Sequence, residues 1–474
     1  MGRYDYDLIV IGGGAAGFVA SKIARGFGKS VAIIEKGKLG GECTNYGCIP
    51  SKSLIRVGKA IHELKNLDKL GLKLDNSLSF DTEDVMPHVR SIVQKVYNTH
   101  LPESFKGLGI DVHFGSPQFL DNHRIKVGEK ILSADKLIIS TGSSPFIPPI
   151  DGIDEVPYLT NNNIFSLDRL PCSLIVLGGG PIGIELASAF NRLNVEVAVV
   201  EMLERILFRE DKELVEMLAG RLQSEGLKIL TSTKAVKVSK ANGKINLSLE
   251  GKVGKRREIE AEGILVAVGR KPNIEGLNLE KAGVSYTNKG IVVNDRLQTF
   301  ADNIYACGDV VGPYQFSHMA EYQGIIACSN AFLPIKRKVD YRGVIWCTFT
   351  DPELAHAGLT EEEAREAYGE KIKIYRYEYS KIDRARTDIE EFGMSKIILD
   401  NKGKVLGAHI LGTHASEIIH EVQLAKHFNI PFGRLWEAIH IYPSYSDVIR
   451  QPSKYYYSER LKNNPFIKLL KKIF

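Results

Sequence analysis

Cysteine is scarce in this chain, with six in 474 residues. That is too few for a disulfide framework at this length. Such a composition fits a reducing compartment, with the cytoplasm as the expected location, and there a close cysteine pair points to metal binding or catalysis rather than stapling. Long apolar runs are missing as well: no stretch reaches the ~18 residues that a membrane span needs. The apolar start "YDYDLIVIGGG" carries two aspartates and breaks at glycines, so it reads as a strand and not as a signal peptide. Charge of one sign is also lacking. The formal balance of +5 is small for the size and indicates no nucleic-acid partner. Low-complexity linkers are absent, so the modules are expected to pack tightly. The length allows roughly two to four domains.

What is present begins with a repeat. Leu8 to Gly17 read "LIVIGGGAAG", and Leu174 to Gly183 read "LIVLGGGPIG". Each copy is an apolar strand, a glycine turn and a helix-like segment. A second apolar strand follows in each, "SVAIIE" ending at Glu35 and "VEVAVVE" ending at Glu201. The acid lies equally far from the first glycine in both. Gly12 and Gly178 would make the tight turn, Gly14 and Gly180 would let backbone approach a pyrophosphate, and Gly17 and Gly183 would let helix and strand touch. The pyrophosphate sits on the helix N-terminus, and the acid accepts hydrogen bonds from a ribose. Two such sites in one chain point to a flavin and a nicotinamide, between which electrons can pass. After "FIPPIDGIDEVP" the second unit begins, and "TFADNIYACGD" later returns to strand character. The last part alternates strands ("KIKIYRYEY", "SKIILD", "VLGAHIL") with helices such as "ASEIIHEVQLAKHF".

The stretch "GGECTNYGCIPSK" holds Cys43 and Cys48. Their spacing would suit half of a zinc site, but Cys172, Cys307, Cys328 and Cys347 are scattered and no histidine pair has ligand spacing, so no metal site is expected. A structural disulfide across so short a loop would constrain little. A redox role fits the local physics. "CIPSKSLIRVGKAIHEL" reads as a helix with Pro50 near its first turn. Cys48 then sits at a helix N-terminus, where the dipole and Lys52 favour thiolate, and Cys43 is left free to attack a substrate. Cys307 reads as buried packing, and Cys172, Cys328 and Cys347 as inert.

With these motifs the chain, to about residue 450, resembles the class I pyridine nucleotide–disulfide oxidoreductases: dihydrolipoyl dehydrogenase, glutathione reductase and mercuric reductase. "GGECTNYGCIPSK" resembles that family's redox-active disulfide motif, including Gly41. The resemblance implies an α/β fold: two Rossmann-like dinucleotide-binding domains, for FAD and NAD(P), plus an α+β C-terminal dimerisation domain. It implies a discontinuous FAD domain at 1–150 and 273–338, an NAD(P) domain at 151–272 and an interface domain at 339–474. By resemblance Cys43 is the interchange thiol and Cys48 the flavin-facing thiol, with Lys52 paired to Glu185 near the flavin N5 edge. "STGSSP", with Thr141 and Gly142, and "VAVGRKPN", with Gly269, resemble the two domain-crossing segments. "YACGD" resembles the second flavin motif, with Asp309 on the ribityl chain. His318 would meet the flavin through its backbone or serve structurally. Arg384 and Arg386 would bind an anionic substrate or belong to a solvated loop.

Electrons would pass from NAD(P)H through FAD and the Cys43–Cys48 disulfide to a small-molecule acceptor of the thiol/disulfide or the metal-ion type. Glu201 favours NADH over NADPH, since a carboxylate accepts from a free 2′-hydroxyl and repels a 2′-phosphate. The pattern looks closest to the mercuric-reductase-like branch. Dihydrolipoyl dehydrogenase and a quinone-type reductase are the alternatives. Mercuric reductases of the family carry a C-terminal cysteine pair, and many an N-terminal metal-binding module. Neither stands here, so efficient mercury reduction is not expected. The family's second half-site, from the partner of a homodimer, is a histidine before proline with a glutamate five residues on. In "IHIYPSYSD" Tyr442 stands at that histidine and Asp447 at that glutamate. A tyrosine is a poor base near neutrality but a good donor. His440 would point to the same side if the stretch is extended and would act as a substitute base or structurally. In the tail, Phe466, Ile467, Leu470, Ile473 and Phe474 share one helical face and Lys468, Lys471 and Lys472 the other. Weak membrane-surface contact and docking on the dimer are both consistent with that face.

Overall fold

The computed structural model describes residues 4–73 and 81–468. The strand Tyr6–Ile11 lies within a parallel stack. Val31–Glu35 and then Ile110–Phe114 follow on one side, and Lys130–Ile139 lies on the other. Every residue of Val31–Glu35 is buried, as a strand covered on both faces requires. Lys130–Ile139 serves two pairings. Its first half runs antiparallel to Arg124–Val127. Its second half runs parallel to Tyr6–Ile11 and to Ile304–Ala306, so a strand from far along the chain joins the first sheet.

The second glycine motif is built the same way. Ser173–Leu177 lies between Glu196–Val200 and Gly263–Val266, with Lys228–Leu230 at the edge, all parallel. An antiparallel ribbon of Lys234–Ala241, Lys244–Glu250 and Arg256–Ala261 is added to it, which sequence reading did not anticipate. The signal was there: "NG" at Asn242–Gly243 forms the hairpin turn with both φ positive, at 52° and 80°, and Asn-Gly between alternating runs is the strongest short hairpin signature. The two expected crossing segments meet, with Ser143–Pro145 antiparallel to Arg270–Pro272.

The last unit is a five-stranded antiparallel sheet in the order Ile345–Thr348, Glu353–Gly358, Val405–Gly412, Met394–Leu399, Lys373–Glu378. The helices Ala415–His427 and Asp447–Asn463 accompany it. The units share apolar interior: Leu54, Phe190, Leu218, Leu354, Met394 and Leu411 belong to one core. A buried ion cluster ties the second unit to the last sheet. Lys396, 3% exposed, meets Asp211 and Glu213 at 2.9 Å and Glu361 at 2.6 Å.

Phe466 is 65% exposed in a short helical turn at 465–468, while Leu470, Lys471, Lys472, Ile473 and Phe474 lie outside the described residues. Among the described residues, no helix is long and apolar enough to cross a membrane.

Candidate active site

A cavity of about 1690 Å³ opens on both glycine turns, on Cys43, Cys48, Lys52 and Glu185, on Glu35 and Glu201, and on Thr141, Gly142, Gly269, Asp309 and His318. The two nucleotide turns are near-copies. A Cβ on Gly17 would lie 1.9 Å from Gly12 O, and one on Gly183 2.0 Å from Gly178 O, so helix and strand pack at glycine-only distance. The middle glycines are open instead. A Cβ on Gly14 would meet nothing nearer than Gly41 Cα at 3.8 Å, and one on Gly180 nothing within 4 Å. The acids match too. Glu35 Oε2 accepts from Gly13 N at 2.8 Å and Oε1 from Gly37 N at 2.7 Å. Glu201 Oε2 and Oε1 accept from Gly179 N and Leu203 N, both at 2.7 Å. Each carboxylate is thereby fixed at the end of its strand, facing the cavity.

Cys48 begins the helix Cys48–Lys65, and Ser317 begins the helix Ser317–Phe332. Two helix N-termini thus approach one sulfur, and both favour negative charge there. Cys48 Sγ and Ser317 Oγ are 3.4 Å apart. The Cys43 and Cys48 sulfurs are not bonded to each other. The hydrogen bond from Cys43, then Ser317 and Lys52, draw the Cys48 thiol down to about 6 against the opposing effects of burial and Glu185. The same bond, with burial, pushes Cys43 well above the ordinary thiol range. The pair is therefore one thiolate capped by one thiol. Lys52 Nζ meets Glu185 Oε2 at 2.8 Å and lies 4.3 Å from the Phe349 ring centre. Burial pulls the Lys52 ammonium down, but Glu185 outweighs it and the net shift is up. Glu185 Oε1 accepts from Phe349 N at 2.8 Å, so the carboxylate is held from both ends.

Asp309 Oδ2 accepts from Ser143 Oγ at 2.6 Å, and burial raises its carboxyl. Thr141 Oγ1 donates to Asn273 O at 2.7 Å, while Asn273 N donates to Gly142 O at 3.0 Å. His318 stacks on Phe316 at 5.4 Å, its Nε2 2.8 Å from Ile345 O. Cys307 and Cys328 are buried, which pushes both thiols up to about 12. Cys172 is exposed. Cys347 lines the cavity, with burial holding its thiol protonated. Among the described residues, no group of three or more His, Cys, Asp or Glu is placed to hold a metal ion.

The segment 438–446 is not brought to the thiols within one chain. Tyr442 is 69% exposed, and its hydroxyl donates to Asp383 Oδ2 at 3.0 Å rather than to Asp447. That bond raises the phenol further. Asp447 opens the last long helix, facing Arg450 and Gln451 at 3.5 Å. His440 does not share Tyr442's side. Its Nε2 lies 2.9 Å from Glu421 Oε1 and its Nδ1 2.8 Å from Ala438 O. Burial raises Glu421. Sequence reasoning singled out neither Glu421 nor Asp383, nor Ser317 beside Cys48. Arg384 and Arg386 pair with Asp388 and Asp383 within the short helix Asp383–Asp388, all at the surface.

The profile of the pyridine nucleotide-disulphide oxidoreductase family matches residues 6–324, and its dimerisation-domain profile matches 344–452. The chain belongs to this family. Over 442 residues it is 35% identical to a mercuric reductase of Bacillus cereus, covering 92% of this chain and 69% of that protein. Over 450 residues it is 33% identical to a dihydrolipoyl dehydrogenase of Bacillus subtilis, covering 91% and 97%. The HOCl-induced flavoprotein disulfide reductase RclA from Escherichia coli shares the fold, with a TM-score of 0.85, 29% identity, and 95% and 99% coverage. RclA has also been solved as a Cu(II) complex. Family membership makes this chain a flavin-dependent pyridine nucleotide–disulfide oxidoreductase with an α/β fold, and its dimerisation domain supports a homodimer. The residues fit the flavin nucleotide that the family implies: an open middle glycine at Gly14, the Glu35 carboxylate fixed at the end of its strand, and a half-buried Asp309 whose carboxyl burial raises share one cavity.

Proposed function

We propose that this oxidoreductase passes an electron pair from NADH to a soft acceptor through Cys43 and Cys48. The acceptor is a disulfide, reduced to its two thiols, or, in preference, a metal ion. The observation that carries this is that Cys43 and Cys48, not bonded to each other, open on the same cavity as both nucleotide turns, with Ser317 and Lys52 beside Cys48. Bound FAD supplies the relay of two electrons between nicotinamide and sulfur. The chain's residues do the rest. Gly14 and Gly180 leave room for pyrophosphates, Glu35 and Glu201 take ribose hydroxyls, and Asp309 takes the ribityl chain. Lys52 and Ser317 stabilise negative charge on Cys48, and Cys43, its proton shared with that sulfur, meets the acceptor. We assign residues 1–150 and 273–338 to the flavin, 151–272 to the nicotinamide and 339–474 to the interface. The return of Ile304–Ala306 to the first sheet supports the split.

NADH is favoured over NADPH because Glu201 is fixed at the ribose position, while Arg205 is drawn off to Phe208 O at 3.0 Å and Glu362 at 3.1 Å. A higher specificity constant with NADPH would contradict this. The metal-ion preference rests on Tyr442, a poor proton acceptor at the family's histidine position, because reducing a metal ion needs less proton transfer than reducing a disulfide. Dihydrolipoyl dehydrogenase is the second reading, favoured by relatives of similar identity. Turnover under NADH with lipoamide, glutathione disulfide, coenzyme A disulfide, Cu(II), mercuric ion and a quinone separates them. Metal-ion turnover at least tenfold above lipoamide is expected, and lipoamide as the best acceptor would overturn the assignment.

A further inference from the structure

Cys48 is carried by an eighteen-residue helix, but Cys43 is not. Its own helix, Gly41–Asn45, has five residues, far below the ~12–15 at which a helix holds itself in water. The place of Cys43 therefore depends on what the turn's side chains grip. Asn45 closes the turn on itself, its amide donating to Leu39 O at 3.1 Å and Gly41 O at 2.9 Å. Glu42 reaches outward. Its Oε1 meets Arg270 Nη2 at 3.0 Å and accepts from Asn161 Nδ2, and Asn161 also donates to Tyr46 O at 3.3 Å.

Arg270 is 11% exposed, so its charge needs fixed partners. Its Nε donates to Ser143 Oγ at 2.7 Å and its Nη2 to Ser143 O at 2.8 Å. Ser143 Oγ donates onward to Asp309. One guanidinium thus stands between two carboxylates, Glu42 at 3.0 Å and Asp309 at 3.9 Å. Asn161 and Arg270 belong to the second nucleotide unit and the crossing segment behind it. Glu42 joins the Cys43 turn to both, and Asn161 holds the end of the turn at Tyr46 O as well.

We propose that Glu42 is a positioning residue: through Arg270 and Asn161 it fixes the Cys43 turn so that the Cys43 thiol stays on the Cys48 sulfur, and it keeps Arg270 from closing on Asp309. This rests on the dithiol reading above. Cys48 is faced by Cys43, Ser317, Lys52 and Glu185, and the Glu42 side chain grips Arg270 and Asn161 instead, so a change at position 42 reaches Cys48 through the Cys43 turn. A loosened turn weakens the first of these contacts and makes the Cys48 thiolate harder to form.

The test uses the flavin-loaded protein, reduced anaerobically with NADH. The long-wavelength band of a thiolate against oxidised flavin is followed against pH. In Glu42→Gln its midpoint is expected to rise by roughly half a pH unit or more above that of the unmodified protein. Arg270→Gln should raise it similarly, and the double variant by no more than the larger single effect, because one ion pair is lost in each case. A residue that merely stabilises the fold would lower the melting temperature without moving the midpoint. An unmoved midpoint in Glu42→Gln, or single shifts that add in the double variant, would overturn the proposal. If Glu42→Gln fails to take up flavin, Asn161→Ala carries the same test, with a smaller upward shift expected and an unmoved midpoint counting against it. An unmodified protein that shows no band at all overturns the dithiol reading itself, and this inference with it.

Discussion

Replacing Lys52 by methionine isolates the electrostatics of the thiol pair. The side chain keeps its length and loses its charge. Cys43, Ser317 and Lys52 draw the Cys48 thiol down to about 6, so at pH 7 most of it is thiolate, where a free thiol would be only a few hundredths ionised. Cys43 and Ser317 remain in the variant and keep part of that stabilisation. The ammonium is lost, and Glu185, 7% exposed and now without its cation, faces the same sulfur. An opposite charge a few ångströms away shifts a titration by roughly one pH unit or more. The Lys52→Met midpoint should therefore rise to near 7, with the thiolate fraction at pH 7 falling to about one-half. Adding Glu185→Gln removes the opposing carboxylate and should bring the midpoint part of the way back. The assay is thiolate absorbance and iodoacetamide reactivity of the reduced protein against pH, with Cys48→Ser locating the signal. A Lys52→Met midpoint that stays at about 6, or falls, would refute the reasoning.

Three further outcomes follow from the same geometry. Because the Cys48 thiol lies below its ordinary range, its thiolate persists above about pH 6 and is lost as pH falls through it. The thiolate–flavin band should fade over that interval in an anaerobic pH titration. Tyr442→His should raise lipoamide turnover, by up to the ~10²–10⁴-fold that general acid–base help supplies, while His440→Ala should leave it little changed because both ring nitrogens already have partners; steady-state kinetics of both variants checks this. Lys396→Ala leaves Asp211, Glu213 and Glu361 together without their buried cation, at a cost of about 3–5 kcal/mol, measurable as a lower denaturation midpoint with the unfolding slope unchanged.

Local grammar carried most of the fold. Each glycine triplet follows a strand, opens a helix and is answered by an acid, and in the structure both acids bind the amide of their own turn in the same way. Both contacts lie within a single βαβ unit, where spacing along the chain is enough to find them. Cys48 at a helix start was legible for the same reason. What was not legible lies far apart in sequence. Ser317 reaches Cys48 from a different helix, Glu42 grips Arg270 across a domain crossing, and Tyr442 and His440 turn to Asp383 and Glu421. Sequence pattern places Tyr442 and His440 two residues apart on one side of an extended stretch. The segment is irregular instead, and the side chains diverge to different helices. Hairpin chemistry at Asn242–Gly243 was readable but overshadowed by the Rossmann pattern around it.

Everything proposed for this site depends on Cys48 being a thiolate in electronic contact with a flavin that NADH reduces. Anaerobic titration of the flavin-loaded protein with NADH tests it most directly. NADH should bleach the flavin with a long-wavelength band appearing near neutral pH, and Cys48→Ser should still accept electrons from NADH but never show the band. A flavin that NADH does not reduce, or a band that survives in Cys48→Ser, would contradict it.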